Sequence, residues 1–245
     1  MKTVKRIAKQ SPIILAAFLL AGGGLSLLTA LLGYTFFPLY QPAMFACIAA
    51  IIILLTVLGV RNSNEKTKLS VVCSALVPLL AIFFTVSISY ALDIDGIDIY
   101  IYILLSLLIL LCSMIVLFAC GRGKAVRISL GIIYSVLSVP LLFLLFLLSI
   151  SFMANFGSHT VAESALSPSG AYLAEIAVSD YGAAGGRTMV NVTRQGLDIN
   201  LLVGKLKKDP MRIYKGRWSE HMSMSLRWEG DEILYINEKK YYIKD

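Results

Sequence analysis

Charge is scarce in this 245-residue chain: Asp, Glu, Lys and Arg make up 15% of it, where about 25% is usual for soluble domains. With 58% hydrophobic residues, a soluble globule could not cover its apolar surface, and a disordered chain needs the opposite balance. Histidine is limited to His159 and His221, and neither G-x-S-x-G nor H-E-x-x-H occurs. The usual nucleophile-and-base and zinc-hydrolase arrangements therefore have no sequence basis. The four cysteines (Cys47, Cys73, Cys112, Cys120) each lie in or at the end of an apolar run. There a cysteine is a small hydrophobe, so neither a disulfide framework nor a metal site is expected. No cofactor is implied either.

What is present in abundance is long apolar sequence. A helix crossing about 30 Å of hydrocarbon needs about 20 such residues, because every backbone amide in lipid must bond within its own segment. Five stretches meet this: 12–33, 42–60, 69–92, 99–120 and 128–153, none containing Asp, Glu, Lys, Arg or His. A basic tail before the first run also resembles the start of a signal peptide. The run continues through Leu25, Leu28 and Leu32, beyond the about 7–15 apolar residues of such peptides, so a retained span is expected.

Lys and Arg resist translocation and collect in short cytoplasmic loops. Lys2, Lys5, Arg6 and Lys9 precede the first run; Arg61, Lys66 and Lys68 follow the second; Arg122, Lys124 and Arg127 follow the fourth. The connections between them hold no base: 34–41 is uncharged, and 93–98 carries only Asp93, Asp95 and Asp98. The pattern predicts a cytoplasmic N-terminus and, after five crossings, an extracytoplasmic C-terminus. Tyr34, Phe36, Phe37, Tyr40, Tyr90, Tyr100 and Tyr102 cluster at the predicted outer interface, as an aromatic belt does. The setting expected is a cell membrane.

Beyond Met153 the pattern changes. Residues 154–170, rich in Ser and Ala, read as a tether closing on the turn Ser167-Pro168-Ser169-Gly170. Over 171–245 apolar residues recur at every second position, as in Tyr172, Ala174, Ile176, Val178, then Leu197, Ile199, Leu201, Val203, then Met222, Met224, Leu226, Trp228. Six or seven short strands are expected, with Asn237 to Lys240 turning a final hairpin. The expected fold is thus a five-helix membrane bundle followed by a small all-β antiparallel extracytoplasmic domain.

Several features of this last segment resemble a bacterial domain-of-unknown-function family of small membrane-tethered proteins. They are Ser167-Pro168-Ser169-Gly170 followed by Tyr172, the Gly/Ala loop 181–186, and Trp228 leading into Ile233, Ile236 and Asn237. The order Ala183-Ala184-Gly185-Gly186 departs from that family's Gly-Gly-Ala. The resemblance implies a bacterial cell-envelope setting and no activity.

Candidate chemistry is sparse. Ion and proton paths place ionisable groups inside spans, and these spans have none. Ser74, Thr85, Ser87, Ser89, Ser106, Ser113, Ser135 and Ser138 could line a path or bond their own helices. Pro78 and Pro140 each delete a helix hydrogen bond, and Ser74 stands four residues before Pro78 to compensate. Gly22-Gly23-Gly24 offers a close helix approach. Asp93-Ile94-Asp95-Gly96-Ile97-Asp98 begins like a calcium loop but lacks the later ligands, so an acidic hairpin is the plainer reading.

The chain's net +7 arises mostly in the membrane half, so it reports insertion topology and gives no basis for nucleic-acid binding. One local excess stands out in 205–217: Lys205, Lys207, Lys208, Arg212, Lys215 and Arg217 against Asp209, with Tyr214 and Trp218 interleaved. Such a patch suits an anionic envelope component or an acidic membrane-protein partner; it equally suits an edge strand guarded by lysine. The function expected is a non-enzymatic binding, sensing or accessory protein acting through the β domain. The alternative is a transport or lipid-handling component that needs a partner subunit. The bilayer is the one partner the composition demands, and no signal speaks to oligomeric state.

Overall fold

The computed structural model describes residues 2–61, 67–94, 97–121, 123–153, 158–180 and 185–243. The chain divides into two compact units, Met1–Ser149 and Ile150–Asp245.

The first unit contains α1 (Lys2–Leu31), a short extended segment β1 (Tyr34–Pro38), α2 (Gln41–Arg61), α3 (Lys68–Ala91), α4 (Asp98–Cys120) and most of α5 (Lys124–Met153). All five helices are long and apolar enough to cross a membrane. Local chemistry sets their ends. Gly33 at φ +67° stops α1, as a residue without Cβ can. The Thr67 hydroxyl accepts from the Ser70 amide and caps α3. Arg127 donates from Nη1 to the Phe118 carbonyl at 2.5 Å, placing a cation at the negative end of α4.

Leu15 and Leu19 of α1, Phe45 and Ile52 of α2, Val77, Ala81 and Phe84 of α3, and Ile109 and Val116 of α4 form one buried core. The small residues of α1 serve packing inside the chain. A Cβ on Gly22 would lie 2.6 Å from the Phe84 ring, and one on Gly23 would lie 2.7 Å from the Phe83 ring. Gly24 faces open space, so two of the three glycines carry the close approach.

The hydroxyls spend themselves locally. Thr85 donates to the Ala81 carbonyl, Ser89 to Val86, Ser106 to Tyr102, Ser113 to Leu110 and Ser138 to Tyr134. Ser74 does not serve the proline kink; it donates to the Val71 carbonyl at 2.7 Å. The hydroxyl that reaches the turn before Pro78 is Tyr134 of α5, which donates to the Ala75 carbonyl at 2.8 Å.

Among its described residues the second unit holds nine further strands: β2 (Ser158–Leu166), β3 (Tyr172–Asp180), β4 (Gly186–Arg194), β5 (Ile199–Leu201), β6 (Gly204–Lys208), β7 (Met211–Arg217), β8 (Leu226–Glu229), β9 (Ile233–Ile236) and β10 (Lys239–Tyr242). The segment 158–166, expected as part of a tether, is instead a full edge strand of an antiparallel sheet ordered β2-β3-β4-β7. Strands β8, β9 and β10 form a meander. Residues 218–223, whose C-terminal end was expected to start a strand, are a 3-10 helix.

The two sheets share one core. Ala174, Ile176, Val190 and Val192 from the first meet Met224, Leu234, Ile236 and Ile243. Trp228 fastens the layers: its Nε1–H donates to the Ala165 carbonyl at 3.0 Å, and its ring stacks on Tyr172 at 6.2 Å. The expected turn at 167–170 is present, with the Ser167 hydroxyl accepting from the Tyr172 amide and Gly170 at φ +75°.

Candidate functional site

The cationic stretch 205–217 is one run in sequence and two objects in space. Lys205, Lys207 and Lys208 lie on β6, which pairs with β5. Arg212, Lys215 and Arg217 lie on β7, the edge strand beside β4. The sheets part at Asp209-Pro210, where proline removes a ladder donor.

On β6 the charge is partly spent. Lys205 Nζ forms a 2.8 Å ion pair with Asp198, whose other carboxylate oxygen accepts from the Lys208 amide. The hydrogen bond from Lys205 holds the Asp198 carboxyl below its ordinary value. A carboxylate with a depressed folded pKa stabilises at all pH above its unfolded value of about 3.9, and that contribution disappears as pH falls through the folded value. Hydrogen exchange at Lys208, measured against an Asp198→Asn chain at each pH, should therefore show extra protection at about pH 6 that is smaller at about pH 3, below the unfolded value of about 3.9. Equal protection at both would contradict the assignment.

On β7 the geometry gathers charge. Side chains alternate faces along a strand, so Arg212 and Lys215, an odd number apart, would ordinarily point opposite ways. A bulge prevents this: Tyr214 pairs with Val190 and the next pair is Arg212 with Asn191. The extra residue, Ile213, returns Arg212 to the face of Lys215 and Arg217. Cross-strand pairing adds a residue from outside the run, because Arg187 of β4 lies directly opposite Arg217. Four cations, Arg187, Arg212, Lys215 and Arg217, share the outward face, and among the described residues none of the four forms an ion pair. Like charges placed opposite each other cost stability.

The interleaved aromatics do not join them. Tyr214 shares the inward face with Val190, and its hydroxyl donates to Glu220 at 2.5 Å. That bond raises the Tyr214 phenol and lowers the Glu220 carboxyl. Trp218 begins the 3-10 helix and lies over Gly186, where any Cβ would collide with its ring. Its carbonyl accepts from the Thr188 hydroxyl at 2.9 Å and lies 2.6 Å from His221 Nδ1. These residues fix the turn.

Tyr214 also lines a feature that composition gives no hint of: an open cavity of about 450 Å³ bounded by Glu220, Met224, Asn237, Lys239 and Tyr241. Tyr241 meets Tyr214 edge-on at 6.4 Å. Asn237, at φ +55°, turns β9 into β10 and accepts from the Ser225 amide at 2.8 Å. Among the described residues no group of His, Cys, Asp and Glu is arranged to hold a metal. Of the acidic loop, Asp95 and Gly96 lie outside the described residues, as do residues 181–184 of the Gly/Ala loop.

Comparison with known protein families, with characterised proteins and with solved structures finds no match for this chain.

Proposed function

We propose that this is a non-enzymatic multi-pass protein of the cell envelope, with its N-terminus in the cytoplasm and its β unit on the far side of the membrane. The β unit recognises an anionic envelope component or an acidic membrane-protein partner through the outward face of β4 and β7. One observation supports this most: Arg187, Arg212, Lys215 and Arg217 crowd one surface with no ion pair among the described residues. An edge strand needs one or two lysines to deter pairing. It does not need a bulge that brings a third cation into phase, nor an arginine facing an arginine. An anionic ligand would relieve that repulsion.

The test is affinity purification from native membranes with the intact chain and with an Arg187→Glu, Lys215→Glu, Arg217→Glu chain. All three side chains point outward, and surface substitutions usually stay within about 0.5 kcal/mol of neutral, so thermal unfolding should change little. The co-purifying components should fall by about tenfold or more, which is about 1.4 kcal/mol of binding. Recovery should also weaken as salt shortens the Debye length from about 10 Å towards 3 Å. Identical recoveries from both chains would end this reading.

A further inference from the structure

The β5–β6 hairpin carries a second surface, independent of the β7 face and of which side of the membrane the β unit occupies. Its register pairs Ile199 with Leu206, Asn200 with Lys205 and Leu201 with Gly204. Directly opposed residues share a face, so the hairpin is two-sided: Ile199, Leu201 and Leu206 on one side, Asn200, Lys205 and Lys207 on the other. Leu202 and Val203 form the tip, 98% and 67% exposed, with Ile199 and Leu201 also exposed. Two-residue hairpin turns ordinarily take Asn, Asp or Gly, which suit the turn backbone and water. Leu-Val at this place satisfies neither, and such breaches of local consistency concentrate at functional sites.

What would cover the tip is indicated by its attachment and its charge. Only residues 154–157 separate the end of α5 from the start of β2, so the β unit is covalently held at the end of an apolar helix long enough to span a bilayer. Lysines flanking an apolar tip match the two layers of a membrane surface: acyl chains for Leu202 and Val203, anionic headgroups for Lys207 and for Lys205, whose half-exposed ion pair with Asp198 would exchange for a headgroup phosphate. We infer that the β5–β6 hairpin inserts its Leu202-Val203 tip into the bilayer interface and reads anionic lipid headgroups through the lysines of β6.

A spin label at Leu202→Cys tests this in the full chain, with Cys47, Cys73, Cys112 and Cys120 changed to alanine and thermal unfolding checked against the unaltered protein. The chain is placed in nanodiscs of phosphatidylcholine alone or with phosphatidylglycerol. With phosphatidylglycerol, collisions with oxygen should exceed those with a water-soluble nickel chelate several-fold. The ratio should revert towards its aqueous value in phosphatidylcholine alone, and also in the Lys205→Glu, Lys207→Glu chain. A label that stays open to the nickel chelate in both lipids overturns insertion. One equally shielded in both overturns the headgroup assignment. One shielded only after native membrane extract is added assigns the tip to a protein partner and also overturns the proposal. None of these outcomes touches the β7 face, whose own test is the charge-reversed chain above.

Discussion

Leucine in place of Gly23 is expected to separate α1 from α3 and destabilise the helical unit. A Cβ at this position would sit 2.7 Å from the Phe83 ring and 3.1 Å from the Phe84 Cα. The second neighbour is backbone, which cannot rotate away. Helices in lipid gain little from hydrophobic exclusion and associate through close packing, so the loss of the approach is felt directly. Overpacking of this kind costs about 1–3 kcal/mol. Gly24 supplies the control, since nothing lies within 4 Å of where its Cβ would be. Thermal unfolding in detergent, followed by loss of monodisperse protein, should fall by several degrees for Gly23→Leu and stay unchanged for Gly24→Leu. Equal effects would show that the glycines act through helix propensity rather than through contact.

Ile176→Ala should strongly destabilise the β unit while leaving the helices unaffected. Ile176 is fully buried between the sheets, beside Val190 and Leu234. Removing such a side chain costs about 2–5 kcal/mol through lost transfer energy and the cavity left behind. Domain stabilities run from about 5 to 15 kcal/mol, with small domains at the low end, so one substitution consumes much of the margin. Hydrogen exchange should rise across β3, β4 and β9 together, with protection in α3 and α4 unchanged, because the helices have a separate core. The contrast is Val161→Ala on β2, where the side chain is 57% exposed; it should leave exchange as it was. Rising exchange in the helices would mean that the two units do not fold independently.

The helices were legible because lipid imposes a length and a polarity that few other constraints do. Each expected run lies within an observed helix to within two residues, although α1 starts at Lys2, where ordinary helix formers carry it beyond the apolar stretch. The β unit was legible where strands are central. Tyr172 to Val178 alternates cleanly because β3 has a partner on each side and one buried face. It was not legible at the edges. β2 is exposed along most of its length and carries a register shift between Val161 and Glu163, so its alternation is broken and its composition resembles a linker. The alternation read through Leu197 to Val203 likewise hides a turn at Leu202-Val203.

The cationic run was found, but its grouping was not. That Lys205 is tied to Asp198, that Tyr214 faces inward and that Arg187 joins the cluster all follow from strand register and from one bulge. Register depends on which strands meet, and nothing in a linear pattern specifies that. The cavity beside Tyr214 is hidden for the same reason: its lining comes from β7, the 3-10 helix and the β9–β10 turn.

The proposed topology depends on basic residues having stayed on the side where the chain is made. The direct measurement is labelling of intact cells with a membrane-impermeant maleimide, using chains that carry one cysteine, at Asn64→Cys or at Glu238→Cys, in the background with the four native cysteines changed to alanine. Label at position 238 and none at 64 until the cells are opened is the expected result. Label at 64 with position 238 dark would place the β unit in the cytoplasm and remove the envelope reading with it.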